Sequence, residues 1–145
     1  KISNRFLSMP SYRNRILGIQ LYKFNIKGFL HWGYNYFNDR FSYSLINPFL
    51  VTDGDYFAPA GDTFSVYPAP DGTAFESLRI LVFQDGLQDI SALKLCEKFY
   101  GRDYVMNLLE SECEPITFKE YPQNAEYLLN LREKVNQSIK AKITG

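Results

Sequence analysis

Hydrophobic residues recur every three or four positions along three stretches of the chain, which is the spacing of one face of an α-helix. The first stretch, residues 11–25, follows Pro10, a residue suited to the start of a helix. The second ends at Gly101, a typical helix stop, and the third closes the chain over about residues 123–143. The pattern therefore predicts three amphipathic helices, one near the start and two in the second half.

Local signals refine the second helix and add a short one after it. Thr73 and Glu76 have the spacing of a capping box, so we expect the helix to begin there. Gly86 weakens the apolar pattern, and whether it kinks or divides the helix is open at this point. Beyond Gly101, apolar residues at helical spacing predict a short helix over residues 104–109.

Two other stretches predict β-strands. Residues 29–36 form a dense aromatic run, typical of a buried strand, and residues 63–67 form a shorter strand that ends at the turn signal of residues 68–72. Residues 38–62 between them are irregular, and loops of that length are uncommon unless they serve a function. Because strands flanked by helices are normally parallel neighbours joined by a right-handed crossover, we expect a parallel pair.

These elements place the chain in the α/β class, as a single domain over residues 1–145. A parallel sheet is covered on both faces and usually has more than two strands, so we expect the chain to be an excerpt of a larger domain. A (β/α)8 barrel takes about 250 residues. We therefore predict the C-terminal portion of such a TIM-type barrel, with few parallel strands and flanking helices.

Charge and composition exclude several classes of function. The 16 basic residues balance the 16 acidic ones, so nucleic acid and anionic membrane surfaces gain no electrostatic attraction. No apolar run approaches the roughly 20 residues that cross a bilayer, so we expect no membrane insertion. The single histidine, His31, and two cysteines are too few for the usual zinc sites, and no nucleotide-binding fingerprint occurs. We expect no metal and no cofactor.

Clustering of aromatic residues is the strongest chemical signal, because 14 of the 24 lie between Tyr22 and Tyr67. An aromatic ring can cover the apolar face of a sugar while amide and carboxylate groups bind its hydroxyls. The alternative is that these rings simply form core. If parallel strands bind ligands at their carboxyl ends, the candidate residues are Trp32, Tyr34, Asn35, Tyr67 and Asp71.

His31 is a further candidate at the same place. Strand alternation puts His31 and Trp32 on opposite faces, so we expect their side chains to point apart. A lone histidine on a strand is more often a hydrogen-bonded core residue than a catalyst, and that alternative stays open.

The carboxylates of the chain offer no persuasive acid–base pair. Glu76 is explained by the capping box, and Asp85 and Asp89 by one exposed or N-terminal helix face. Arg13 and Arg15 on the first helix are expected to be solvated.

Ordered motifs along about residues 4–100 carry a resemblance to a known family. They are Asn4-Arg5-Phe6-Leu7, Met9-Pro10-Ser11-Tyr12-Arg13-Asn14-Arg15, Gly28-Phe29-Leu30-His31-Trp32-Gly33-Tyr34-Asn35, Tyr67-Pro68-Ala69-Pro70-Asp71-Gly72, Glu76-Ser77-Leu78-Arg79 and Asp85-Gly86-Leu87-Gln88-Asp89. With these motifs the chain resembles the C-terminal part of glycoside hydrolase family 123-like catalytic domains.

The resemblance implies a (β/α)8 barrel enzyme acting on β-linked N-acetylgalactosamine, with the substrate's own 2-acetamido group as nucleophile. In that family an adjacent Asp-Glu pair orients the acetamido group and protonates the leaving oxygen, an exception to the two-carboxylate scheme. We expect that pair upstream of the motifs, and the chain has no Asp-Glu dipeptide. The expected function is therefore part of a glycoside hydrolase acting on N-acetylhexosamine-containing glycans, with the 145 residues inactive alone.

Site residues follow from the resemblance as well. Trp32, Tyr34 and Asn35 would line the sugar subsite, with Trp32 as the stacking platform, and Tyr67 and Asp71 would face the same opening. The remaining matched residues are interpreted as a helix-packing and capping network, and they are Arg79, Asp85 and Asp89.

The resemblance also implies a bacterial protein that is secreted or associated with the cell envelope, with a carbohydrate ligand. The alternative is a non-catalytic module for carbohydrate binding or protein assembly. A partial barrel has open sheet edges and uncovered apolar surface, which predicts self-association or association with a missing N-terminal part of the same protein.

Overall fold

Four α-helices and one pair of short strands are formed by residues 2–144, the part of the chain that the computed structural model describes. The three helices predicted from periodicity are confirmed, as is the short one after Gly101. None of the described helices combines the length and the hydropathy needed to span a membrane. In chain order the elements are α1 Tyr12–Lys23, β1 Val66–Pro68, β2 Ala74–Glu76, α2 Leu78–Tyr100, α3 Arg102–Glu110 and α4 Ala125–Thr144.

The hydrophobic core lies where the four helices meet. Burial of each aliphatic side chain there stabilises the fold by about 1.5–3 kcal/mol relative to exposure. Cys96 belongs to this core, and burial raises the pKa of its thiol, which favours the unreactive protonated form. The aliphatic members are Ile16, Ile19, Leu93, Val105, Leu109, Ile116, Leu128, Leu131 and Val135.

Two glycines let α1 and α2 touch through their backbones. A Cβ atom placed on Gly18 would lie 2.2 Å from the carbonyl oxygen of Gly86, which is closer than any real contact. Gly86 is therefore a packing position, and α2 runs unbroken from Leu78 to Tyr100 across it. The helix is therefore not divided at this residue.

A buried carboxylate ties three helices together. Asp89 on α2 is only 3% exposed and accepts hydrogen bonds from Arg15 Nε and Arg132 Nη1, each at 2.7 Å. Arg15 Nη2 adds a third bond at 3.0 Å. The expectation of an exposed Asp89 and a solvated Arg15 is wrong, because the two cations come from α1 and α4 and compensate the buried charge.

Arg13 is not simply solvated either. Its Nε donates to the Tyr121 hydroxyl at 3.3 Å and its Nη2 to the Ile2 carbonyl at 2.6 Å. The first helix is therefore joined to the start of the chain and to the loop that precedes α4.

The predicted capping box at Thr73 and Glu76 is wrong. Residues 68–72 form a tight turn that folds the chain back, so Ala74–Glu76 pairs with β1 as a strand. The helix begins after Ser77, whose hydroxyl accepts a hydrogen bond from the Ile80 backbone N–H at 3.2 Å. The cap lies one residue beyond the expected box.

The expected parallel strands are also wrong. β1 and β2 pair antiparallel, with Val66 opposite Glu76, and residues 29–36 form no strand beyond an isolated antiparallel bridge from Asn35 to Phe64. The loop between residues 29–36 and β1 folds back on itself instead of crossing over. The segments on either side of it therefore run antiparallel. Residues 2–144 thus contain four helices and a two-stranded sheet, which is consistent with an excerpt of a barrel but does not by itself close one.

Candidate functional site

The indole of Trp32 forms a half-exposed aromatic surface. Its ring is 51% exposed and packs against Tyr36 and Phe57, with ring centroids 5.7 Å and 5.8 Å away. Its Nε1–H donates to Asp62 Oδ2 at 3.3 Å. These contacts hold the ring in place while about half of the residue stays accessible, and we call Trp32, Tyr36 and Phe57 the Trp32 cluster.

His31 lies beside this cluster, contrary to the expectation that His31 and Trp32 point apart. Its Nε2 lies 3.1 Å from the backbone oxygen of Asp62 and 4.0 Å from Oδ1 of that residue. Because a carbonyl oxygen can only accept, Nε2 carries the proton and donates. Burial, and then the charge of Arg5, lower the pKa of His31 and favour the neutral ring.

The approach of the loop to this segment depends on Gly33. A Cβ atom at this position would lie 2.1 Å from the Asp62 carbonyl oxygen, so any larger residue would push the loop away. The neighbouring backbone is held by two hydrogen bonds, from Tyr36 N to Thr63 O at 3.0 Å and from Ser65 N to Tyr34 O at 2.7 Å. This contact brings Asp62 to Trp32 and His31.

Two arginines lie behind the cluster, and we call Arg5 and Arg79 the arginine pair. The Arg79 Nη1 donates to the carbonyl oxygens of Arg5 at 3.1 Å and Gly61 at 2.6 Å. The Arg5 guanidinium lies over the rings of Phe29 and Phe83, 5.1 Å and 4.7 Å from their centroids. Burial lowers the pKa of both guanidinium groups, while the charge of Asp62 opposes that effect.

Three of the remaining predicted site residues lie around this region. Tyr34 is about half exposed and lines a cavity with His31, and Asn35 is exposed at the bridge to Phe64. Tyr67 belongs to a second aromatic group, because it stacks on Phe49 at 4.8 Å and meets the Phe64 ring edge-on at 5.1 Å. Of these three, only Tyr34 shares a cavity with His31.

Asp71 is engaged by the turn between β1 and β2. Its Oδ1 accepts from the Thr73 hydroxyl at 2.7 Å and from the Thr73 backbone N–H at 3.0 Å, and these bonds lower its pKa. The side chain is exposed and stabilises the turn, and these hydrogen bonds do not connect it to the Trp32 cluster.

The comparison with known families decides what kind of domain this is. A sequence model described as "Glycoside hydrolase 123, catalytic domain" matches residues 1–96. The chain belongs to this family. No match was found among proteins with curated descriptions. The family confirms the resemblance noted in the sequence and implies a TIM-barrel-like fold and a carbohydrate ligand.

The matched part of this glycoside hydrolase 123 domain contains α1, both strands, most of α2 and all the site residues above. The helices α3 and α4 follow the matched region, yet they supply half of the helical core. Over the residues that the structure describes, the matched helices α1 and α2 thus share one hydrophobic core with α3 and α4.

Two connected cavities open beside the glycoside hydrolase 123 site residues. The larger has a volume of about 580 Å³ and lies between the start of the chain, α1 and residues 26–32. The smaller, of about 180 Å³, lies between Tyr34, Ser65 and the start of α2. Arg5, Phe29 and His31 line both cavities, and Trp32 lines the larger one.

Sequence reasoning missed Asp62 and the arginine pair as site residues of this glycoside hydrolase 123 domain. Arg5 stood within the motif Asn4-Arg5-Phe6-Leu7, and its place in that motif is the signal that could have drawn attention to it. Asp62 gave no signal, because its position depends on the close approach to Gly33. Within residues 2–144, no group of histidine, cysteine and acidic side chains is arranged to hold a metal ion.

Proposed function

We propose that this chain supplies the sugar-contacting wall of a glycoside hydrolase active site, for a glycan that contains N-acetylhexosamine of the β-N-acetylgalactosaminide type. The observation that supports this most is the half-exposed Trp32 ring, held by Asp62, Tyr36 and Phe57. Membership of the glycoside hydrolase 123 family supports the ligand class.

The Trp32 surface has the properties that stacking on a sugar requires. The indole N–H is bonded to Asp62, and about half of the residue's surface stays accessible. An accessible indole ring can cover the C–H groups of a pyranose ring. Because neighbouring rings already restrict the indole, binding a sugar immobilises little additional side-chain freedom.

Binding and orientation, rather than proton transfer, are the roles that we assign to these residues. Asp62 is committed to the Trp32 indole, and its carboxylate lies in the field of Arg5 and Arg79. The position that Asp62 holds therefore orients the Trp32 ring. In a substrate-assisted reaction the acid would come from the Asp-Glu pair that the family resemblance implies, and residues 1–145 hold no such dipeptide.

The test uses the fact that Trp32 is the only tryptophan in the sequence. Folded protein is titrated with N-acetylgalactosamine, and with N-acetylglucosamine and glucose as controls, while tryptophan fluorescence is recorded. We expect a saturable change that is selective for the acetamido sugars. An unchanged spectrum in a folded sample would contradict a working subsite at Trp32.

A pair of variants separates stacking from general surface effects. Trp32→Ala should weaken binding by about fivefold to tenfold in calorimetry, the size expected for one lost ring contact. Tyr56→Ala is the matched control, because Tyr56 is an exposed aromatic residue outside the Trp32 cluster. Equal losses in both variants would contradict the assigned role of Trp32.

A second candidate is the protein-assembly module, and a specific observation favours it. Several large apolar side chains between residues 30 and 56 are more than four-fifths exposed, which is unusual for a monomer surface. Light scattering over a range of protein concentrations tests this candidate, which predicts a mass that grows with concentration. The side chains are Leu30, Tyr43, Leu45, Leu50 and Tyr56.

A further inference from the structure

Arg5 is a buried cation without a direct anionic partner. The residue is only 5% exposed, and its Nε atom is buried without a hydrogen-bond partner among the described residues. Over residues 2–144 it forms no ion pair with a carboxylate. Burying a charged group is costly unless an opposite charge or hydrogen bonds compensate it, so this position calls for an explanation.

The immediate surroundings compensate the charge only in part. The rings of Phe29 and Phe83 lie over the guanidinium, which stabilises it through their π-electrons. The second cation of the arginine pair, Arg79, opposes it, and Asp62 is the carboxylate whose charge favours it. With His31 neutral, the four ionisable groups of this region carry one positive charge in excess.

Arg5 also lines both cavities of the site. The larger cavity is lined mostly by apolar residues, including Leu17, Leu21 and Phe118, and Arg5 is the one charged side chain among the lining residues, beside the polar Ser3, Asn4, Asn14 and the neutral His31. A ligand that fits such a space has one anionic group beside a largely apolar surface. An acidic sugar has this character, because its ring presents C–H faces and its acid group is a single charge.

We propose that Arg5 binds an anionic group of the glycan, a carboxylate or a sulfate ester, so that the substrate class of this site is an acidic sugar. This inference depends on the proposed function. The planar guanidinium matches an oxyanion with parallel N–H donors, and desolvation behind Phe29 and Phe83 strengthens that bond. An incoming anion would neutralise the excess charge of the region.

Calorimetry with the unmodified protein tests the proposal. N-acetylgalactosamine is compared with its 6-sulfate and with galacturonic acid at equal ionic strength, and inorganic sulfate is a fourth ligand. We expect at least one acidic sugar to bind about tenfold to a hundredfold more tightly than the neutral sugar, the range for a hydrogen bond to a charged group. The sulfated and the uronic sugar separate the two sources of the anion.

Variants of Arg5 and Asp62 should change the preference for the acidic sugar in opposite directions. Arg5→Gln should abolish the preference for the acidic sugar, and Arg40→Gln should leave it intact, because Arg40 is an exposed arginine stacked on Phe41. Asp62→Asn keeps an oxygen that accepts from the Trp32 indole but removes the local negative charge. It should therefore tighten the acidic sugar and not the neutral one, a result that a purely structural role of Asp62 would not produce.

Each outcome decides one of the two proposals. Equal affinities for neutral and acidic sugars would overturn the anion site and leave the proposed function standing. Inorganic sulfate that binds as tightly as the sulfated sugar would overturn the acidic sugar as ligand. Absence of binding by every sugar would overturn the proposed function and this inference with it. If Arg5→Gln does not fold, the comparison in the unmodified protein and the Asp62→Asn variant still decide.

Discussion

The helical region and the aromatic region of this domain use similar apolar residues in opposite ways. In the helical region, side chains such as Ile16 and Leu93 are almost fully covered, because α3 and α4 close over α1 and α2. Between residues 26 and 62, rings and aliphatic side chains of the same size stay exposed and are supported mainly by one another. Burial of apolar side chains therefore stabilises the first region, whereas the second leaves similar side chains accessible for contact with a ligand.

The largest expected effect comes from a cavity in the helical core. Leu93→Ala should lower the free energy of unfolding by about 2–5 kcal/mol, because the buried site loses contacts and cannot fully collapse. Leu50→Ala removes the same atoms from an exposed position and should change it by less than about 0.5 kcal/mol. Urea denaturation followed by circular dichroism measures both. Equal losses would show that the aromatic region is covered in solution.

The buried carboxylate gives the next effect. Asp89→Asn should destabilise the fold by about 2–3 kcal/mol, below the value for fully buried pairs because Arg15 and Arg132 are partly exposed. Asp71→Asn is the control and should leave the urea midpoint nearly unchanged, since its carboxylate is exposed. A reversed order of the two variants would contradict the assignment of stability to the helices.

The smallest effect is a difference in pH dependence between the regions. Burial, and then Arg5, lower the pKa of His31, so its contribution is complete above the ordinary value near 6.5 and is lost as the pH falls through the lower folded value. For Glu110, burial would raise the pKa, but bonds from Lys23 and the Ile116 N–H lower it overall. Its contribution is lost only in the more acidic range, as the pH falls below 4.5.

Thermal unfolding from about pH 8 to about pH 3 measures these two windows. His31→Gln should remove the dependence just below pH 6.5 and leave the acidic part, while Glu110→Gln should do the reverse. A single window that responds to both variants would show that the two regions titrate together.

Sequence patterns predicted the helical region well because periodicity reports which face of a helix is buried. The aromatic run from residue 29 to residue 36 was misjudged for a physical reason, since aromatic residues are equally suited to a buried strand and to an exposed surface. What distinguishes the two is the loop that returns to Gly33, a contact between residues about 30 positions apart. The burial of Asp89 was misjudged for the same reason, because it depends on a distant contact with Arg132 from another helix.

Of the candidate site, sequence reasoning named Trp32, Tyr34 and His31 as candidate sugar-binding residues, but it expected His31 and Trp32 to point apart. It could not predict that His31 and Trp32 both reach Asp62, because strand alternation does not apply to an irregular segment. The arginine pair was beyond reach as well, since Arg5 and Arg79 meet only through the packing of α2 against the start of the chain.

The backbone contact between Gly18 and Gly86 fixes the distance between α1 and α2. Arg5 precedes α1 and Arg79 lies in the first turn of α2, so this main-chain contact sets how near the Arg79 side chain lies to the Arg5 carbonyl. A single methyl group at Gly18 would widen the gap and draw Arg79 away from the Arg5 carbonyl. The alignment of the site is therefore governed from inside the helix pair, at a position that no ligand touches.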